Sequence, residues 1–140
     1  MTKNRMITFR LLRQATLPAL LAAVGSIHAA APDLSKLPPA AQRTGVTFAK
    51  DIEPIFKAAC TKCHGDMKHK GGLRLDTLEA TLKGGENAPN VIKGDSAKST
   101  LVHSIARLDP DAAMPPDGKG DPLSKEQIAL IRAWIDQGAK

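Results

Sequence analysis

The only two cysteines of the chain lie in one five-residue sequence, Cys60-Thr61-Lys62-Cys63-His64. This C-x-x-C-H spacing is typical of covalent c-type haem attachment. Two thiols three residues apart on one helical turn can each add to a vinyl group of the same porphyrin. The histidine that follows is then carried to the haem face, where its imidazole can bind the iron. The motif therefore predicts one haem c, with Cys60 and Cys63 as covalent anchors and His64 as the proximal iron ligand.

Other uses of a cysteine pair fit this sequence less well. Two cysteines cannot form a four-cysteine zinc site. A thioredoxin-like redox pair belongs in a βαβ context, and the sequence has no strand pattern of useful length. A disulfide between Cys60 and Cys63 would close too small a loop to stabilise much.

The first 29 residues have the features of a secretory signal peptide. A basic segment without acids precedes an apolar run from Ala15 to Val24, and small residues follow it. We expect cleavage after Ala29. The apolar run is too short to span a bilayer, so no stable membrane span is expected after cleavage. The sequence thus predicts a periplasmic or secreted bacterial protein, which agrees with haem attachment outside the cytoplasm.

The net charge of +6 is concentrated in the predicted leader. Residues 1–29 hold four of the twenty basic residues and none of the fourteen acids, which leaves the mature chain with a balance of +2. No basic stripe with interleaved aromatic residues is present, so the composition argues against a nucleic-acid partner.

After the leader, the sequence predicts an extended N-terminal arm over residues 30–46 and one domain over residues 47–140. Apolar periodicity predicts an all-α fold of about four helices joined by long loops that wrap the haem. The first helix covers residues 48–64 with Asp51 as its cap, and the second opens at Asp76 and ends at Gly84. The third begins at residues 94–96 and runs to about Ala106. The last is capped by Ser124, with Gln127 completing a capping box.

Five stretches of the mature chain resemble a class I-type cytochrome c domain, and more narrowly the planctomycete cytochrome c family. The resemblance covers about residues 46–139. Its most specific parts are the Gly-Gly-Leu-Arg-Leu-Asp sequence and a Met-Pro-Pro sequence. The matching stretches are residues 48–56, 60–65, 71–76, 114–116 and 123–135. The resemblance implies a small cytochrome c-like fold and electron transfer.

Met114 is the predicted distal ligand. This prediction rests on the family resemblance and on the chemistry of axial haem ligands. A thioether favours Fe(II), and His/Met ligation raises the reduction potential. The two prolines after Met114 hold its loop stiff, and a residue before proline is pushed to extended geometry. Met67 lies only three residues after His64, too near to reach the opposite haem face easily. His103 is the competitor that would give a His/His site.

Two arginines are predicted contacts of the haem propionates. Arg74 and Arg107 can each pair with a carboxylate in a bidentate fashion. A solvated surface arginine is the alternative for both.

These features predict a monomeric, exported electron carrier rather than an enzyme, with a single haem c that cycles between Fe(III) and Fe(II). Its partners would be redox proteins that bind through a small, transient contact. The main alternative is a five-coordinate or His/His haem protein that binds a small ligand or reduces peroxide. A third class is a docking module in which the haem mainly holds the fold.

Overall fold

The computed structural model describes residues 31–87 and 89–140. The predicted signal peptide, residues 1–29, therefore lies outside the described residues. Within the described part the secondary structure is helical and contains no strand, which confirms the all-α prediction. The four α-helices found there are α1 (Glu53–Ala59), α2 (Leu78–Lys83), α3 (Thr100–Ile105) and α4 (Lys125–Asp136). In this part of the chain, no helix combines the length and the apolar character needed to cross a membrane.

The start of the first helix differs from the prediction. A π-helical turn over Phe48–Ile52 precedes α1, and Thr47 rather than Asp51 occupies the capping position. The carboxylate of Asp51 instead accepts a hydrogen bond from the backbone N–H of Thr47, at 2.9 Å. Pro54 has no N–H to donate to the preceding turn. The turn therefore widens before it, and the N–H of Glu53 reaches back to the carbonyl of Phe48.

The second helix is also capped by a different residue than predicted. Thr77 is the cap of α2, and its hydroxyl accepts the N–H of Ala80 at 3.2 Å. The predicted cap, Asp76, is bound to Arg74 instead. The two residues are both good caps, so the ion pair decides between them.

The predicted third helix is divided in two. A 3-10 turn over Ser96–Lys98 is followed by α3, and Ser99 between them has an extended backbone. The carboxylate of Asp136 on α4 accepts hydrogen bonds from the N–H and the hydroxyl of Ser96, at 2.7 and 3.0 Å. These bonds fix the turn to the end of α4.

The last helix agrees closely with its prediction. The hydroxyl of Ser124 accepts the N–H of Gln127 at 3.2 Å, and the side chain of Gln127 accepts the N–H of Ser124 at 2.8 Å. Both halves of the predicted capping box are thus formed.

Three aromatic side chains form the centre of the core between α1 and α4. Phe48, Phe56 and Trp134 are all buried, with ring centroids 5.8 to 6.5 Å apart. The indole N–H of Trp134 donates to the carbonyl of Lys140 at 2.9 Å, so it remains hydrogen-bonded inside the core. Aromatic contacts at these separations add to the free energy gained from burial alone.

The segment before residue 47 is packed along α4. The N–H of Ala41 donates to the carbonyl of Ala129 at 2.9 Å, and Arg132 donates to the carbonyl of Pro38. The side chains of Leu37, Ala40 and Ala41 lie against the main core. Residues 37–41 are therefore held by α4 through both polar and apolar contacts.

Candidate functional site

The C-x-x-C-H residues lie in tight turns immediately beyond α1. Cys60 directly follows α1 and caps its C-terminus, and its N–H donates to the carbonyl of Phe56 at 2.7 Å. The N–H groups of Cys63 and His64 both donate to the carbonyl of Cys60, at 3.0 and 2.9 Å. Both cysteines are free and partly buried. The hydrogen bonds to the carbonyls of Phe56 and Cys60 thus fix the backbone from which both thiols project.

Gly65 allows the chain to turn directly after the motif. A Cβ atom at this position would lie 2.5 Å from the carbonyl oxygen of Thr61, which is closer than real side chains approach. The N–H of Gly65 donates to the carbonyl of Lys68 at 2.7 Å. The turn after His64 therefore depends on a residue without a side chain.

The imidazole of His64 is oriented by one backbone carbonyl. Its Nδ1 lies 3.3 Å from the oxygen of Leu73. Because a carbonyl can only accept, this contact selects the tautomer with the proton on Nδ1 and leaves Nε2 unprotonated. The backbone carbonyl of His64 also accepts the N–H of Leu75, at 2.7 Å. A neutral imidazole held in this way is the form that binds a metal.

The environment of Cys60 disfavours thiol redox chemistry. Burial raises the pKa of the Cys60 thiol to about 11. Reactive cysteine pairs depend on a lowered pKa that supplies the thiolate. The thiol of Cys60 is instead protonated at neutral pH, which is the opposite of what a thioredoxin-like pair needs.

Met114 lies in the loop between α3 and α4. Its backbone N–H donates to the carbonyl of Ser104 at 3.0 Å, which fixes the loop to α3. Its neighbours Ala113 and Pro115 are buried, whereas Met114 itself is 37% exposed. By contrast, Met67 is 96% exposed. The loop is thus anchored on both sides of a methionine that is accessible from solvent.

His103 is engaged with its own region of the chain. Its Nε2 lies 2.6 Å from the carbonyl oxygen of Ala97 in the preceding 3-10 turn. The carbonyl selects the tautomer with the proton on Nε2. This nitrogen is therefore not free to bind a metal.

Both arginines named from the sequence have carboxylate partners in the protein. Arg74 binds Asp76 through Nε and Nη2, at 3.0 and 2.7 Å, and its Nη1 lies 2.9 Å from Asp66. The hydrogen bonds from Arg74 lower the pKa of the Asp76 carboxyl. Arg107 donates to the carbonyl of Pro115 at 2.9 Å and pairs with Asp117. Their role as propionate contacts stays a prediction.

Two parts of this arrangement were not found from the sequence. The acceptor for His64 is the backbone carbonyl of Leu73, and a main-chain atom leaves no side-chain signal. The two carboxylates around Arg74 were visible as residues, but their pairing depends on how the chain folds back on itself. The nearby Arg74–Asp76 spacing was the one available hint.

The donor set of these residues fits a covalently bound haem by its chemistry. It offers two unpaired thiols, one imidazole with a free Nε2 and an accessible thioether, which are the donor types found in c-type haem sites. A family model described as Planctomycete cytochrome C matches residues 60–118, and this segment contains all of these donors. The comparison with curated proteins gave no match, and the comparison with solved structures gave none either. This match agrees with the resemblance to the planctomycete cytochrome c family over residues 60–118, and it supports a c-type cytochrome, a class that carries covalently bound haem c.

Proposed function

We propose that the protein is an exported, monohaem electron carrier in which His64 and Met114 are the axial ligands of the iron. The observation that carries the proposal is the bond between Nδ1 of His64 and the carbonyl of Leu73. It supports ligation because it fixes the ring and keeps Nε2 available. The predicted signal peptide supports a periplasmic or secreted location.

The haem would supply a one-electron couple between Fe(III) and Fe(II). Cys60 and Cys63 would hold it to the turns after α1, and His64 would donate Nε2. The carbonyl of Leu73 would make the imidazole a stronger donor, whereas the thioether of Met114 favours the reduced iron. Two ligands that stay bound in both oxidation states keep the rearrangement on electron transfer small.

The surroundings of the ligands support exchange of electrons with another protein. Cys60 and Cys63 are only partly buried, and Met114 is 37% exposed. A group held by these side chains would lie within reach of the surface. We propose redox proteins as partners, in contacts small enough to dissociate quickly.

The alternative of a His/His or ligand-binding haem receives less support. Nε2 of His103 is occupied by the carbonyl of Ala97, at 2.6 Å. A peroxidase would also need an acid–base group on the distal side, and His103 was the candidate for that role.

The test compares the wild type with Met114→Ala and with the matched control Met67→Ala, all produced in a host with haem-maturation machinery. We expect haem that survives denaturing extraction and, in wild type and control, a low-spin spectrum with a methionine–iron charge-transfer band. Met114→Ala should lose that band, bind carbon monoxide when reduced, and show a lower reduction potential.

Two results would contradict the proposal. An unchanged spectrum and potential in Met114→Ala would remove Met114 as a ligand, and absence of the methionine–iron band from the wild type would then favour a His/His site. A wild type that is high-spin and already binds carbon monoxide would favour the ligand-binding alternative.

A further inference from the structure

We propose that Arg74 is a positioning residue for the proximal ligand, because it clamps residues 73–75 against His64 through Asp66 and Asp76. This inference rests on the proposed function, in which His64 binds the haem iron. It assigns to Arg74 a role different from the propionate contact expected from the sequence.

Residues 73–75 touch His64 at two places. The carbonyl of Leu73 lies 3.3 Å from Nδ1 of the ring, and the N–H of Leu75 donates to the backbone carbonyl of His64 at 2.7 Å. Arg74 is the residue between these two contacts. A shift of this residue would therefore move the ring acceptor and the backbone donor together.

Two carboxylates fix the side chain of Arg74, one from a residue before it in the sequence and one from a residue after it. Two parallel hydrogen bonds of 3.0 and 2.7 Å join it to Asp76, and its Nη1 lies 2.9 Å from Asp66 in the turn after the motif. Paired bonds of this kind define the orientation of the guanidinium as well as its position. All three of its nitrogens are engaged with carboxylates. Asp66, Arg74 and Asp76 form what we call the Arg74 clamp.

The backbone before the clamp is supported from its other side. The N–H of Glu86 donates to the carbonyl of Gly71 at 2.8 Å. A Cβ atom at Gly85 would lie 2.4 Å from that carbonyl and 3.0 Å from the nitrogen of Leu73. The chain at Gly85 thus packs directly on residues 71–73. Packing at Gly85 and the Arg74 clamp thus both restrain the backbone that carries the carbonyl of Leu73.

Solvent exposure indicates that the clamp acts through geometry more than through energy. The side chain of Arg74 is 35% exposed and that of Asp66 is 72% exposed. Ion pairs at this exposure are screened by water and contribute little to stability. A change in the clamp should therefore affect His64 more strongly than it affects unfolding.

The experiment uses the haem-loaded protein and measures two quantities that respond to the His64–Leu73 bond. The first is the rate at which its Nδ1–H exchanges with solvent, observed by NMR in the reduced state. The second is the midpoint reduction potential. The variants are Arg74→Gln, Asp76→Asn and their double variant. Arg43→Gln is the matched control, because Arg43 forms an ion pair with Asp51 without contacting residues 73–75.

We expect Arg74→Gln to speed exchange of the Nδ1–H about tenfold or more, since the bond to Leu73 opens more often. A weaker bond makes the imidazole a poorer donor, so the midpoint potential should rise. Asp76→Asn should change both in the same direction. The double variant should change them no more than Arg74→Gln alone, as expected for partners in one interaction. Arg43→Gln should leave both values at those of the wild type.

The inference is overturned if Arg74→Gln matches Arg43→Gln in exchange rate and potential. This outcome leaves the proposed function intact. The proposed function fails if the wild type lacks covalent haem or histidine–methionine ligation. If Arg74→Gln does not fold, Arg74→Lys replaces it, since lysine keeps the charge but not the paired bonds. Arg74→Lys should speed exchange of the Nδ1–H by a smaller factor than Arg74→Gln. An exchange rate and a midpoint potential equal to those of the wild type would also overturn the inference.

Discussion

At the scale of single residues, the site depends on which side-chain atoms are already engaged. The ring of His64 is held through Nδ1, and the ring of His103 is held through Nε2, each by a backbone carbonyl. Only the first arrangement leaves Nε2 free. From the sequence, His64 was the predicted proximal ligand and His103 was the competitor of Met114 for the distal position. In each ring, one hydrogen bond decides which nitrogen is engaged.

Asp51 shows how a carboxylate at a helix start contributes to stability. It accepts the N–H of Thr47 at 2.9 Å and pairs with Arg43 at 2.6 Å, while its own side chain is only 4% exposed. The hydrogen bond from Thr47, and after it the charge of Arg43, hold the pKa of the Asp51 carboxyl below its ordinary value. The folded protein therefore favours the ionised form.

A pKa that is lower in the folded protein gives stability that is complete above the unfolded pKa, about 3.9. This stability is lost as the pH falls below that value towards the folded pKa. We expect Asp51→Asn to be less stable than the wild type at pH 6, with the difference shrinking by pH 3. Urea unfolding at both pH values measures it. Asp121→Asn, which changes an exposed carboxyl in the loop before α4, is the control. An equal difference at both pH values would contradict the role of the ionised carboxylate.

At the scale of helices, local signals predicted some boundaries and failed at others. The capping box of α4 lies within four consecutive residues, and nothing distant competes for Ser124 or Gln127, so its prediction was correct. Asp51 and Asp76 were each predicted as caps, but each is bound by an arginine. Thr47 and Thr77 take their places. Cap identity was thus decided by contacts with Arg43 and Arg74, which local patterns do not contain.

In the candidate site too, local sequence signals predicted some features, whereas features that depend on the fold could not be predicted. The spacing of Cys60, Cys63 and His64 indicated haem attachment because the chemistry requires those residues in that order. The acceptor of the His64 ring could not be predicted, because it is the main chain of Leu73 and depends on the fold of residues 65–75. The division of the third helix before α3 depends in the same way on Asp136, forty residues further along.

The capping box of α4 should have a measurable effect on stability. Ser124→Ala removes the acceptor for the N–H of Gln127 and leaves that donor without its partner. We expect the free energy of unfolding to fall by about 1 kcal/mol. Lys125→Ala, an exposed change one position further on, should alter it by less than about 0.5 kcal/mol. Urea unfolding of the haem-loaded variants measures both, and equal losses would mean that the capping bonds add nothing.

At the scale of the whole molecule, the apolar core and the proposed haem ligands lie on different parts of the chain. Phe48, Phe56 and Trp134 join the start of the domain to α4 by direct contact. The ligands are instead carried by the turns after α1 and by the loop around Met114. The first region packs on itself, whereas the second has little regular structure. Much of the order in the second region should therefore depend on the haem.

This division predicts what remains when the haem cannot be attached. In Cys60→Ala/Cys63→Ala, we expect amide hydrogen exchange to stay slow in α1 and α4 and to become fast in residues 64–76 and 107–121, because the proposed haem would no longer pack against those residues. Phe56→Ala in the haem-loaded protein is the control. It should speed exchange in α1 and α4 and lower the free energy of unfolding by about 3–5 kcal/mol, since it leaves a cavity in the aromatic core. Loss of protection throughout the haem-free variant would mean that the haem, and not the aromatic cluster, holds the two helices together.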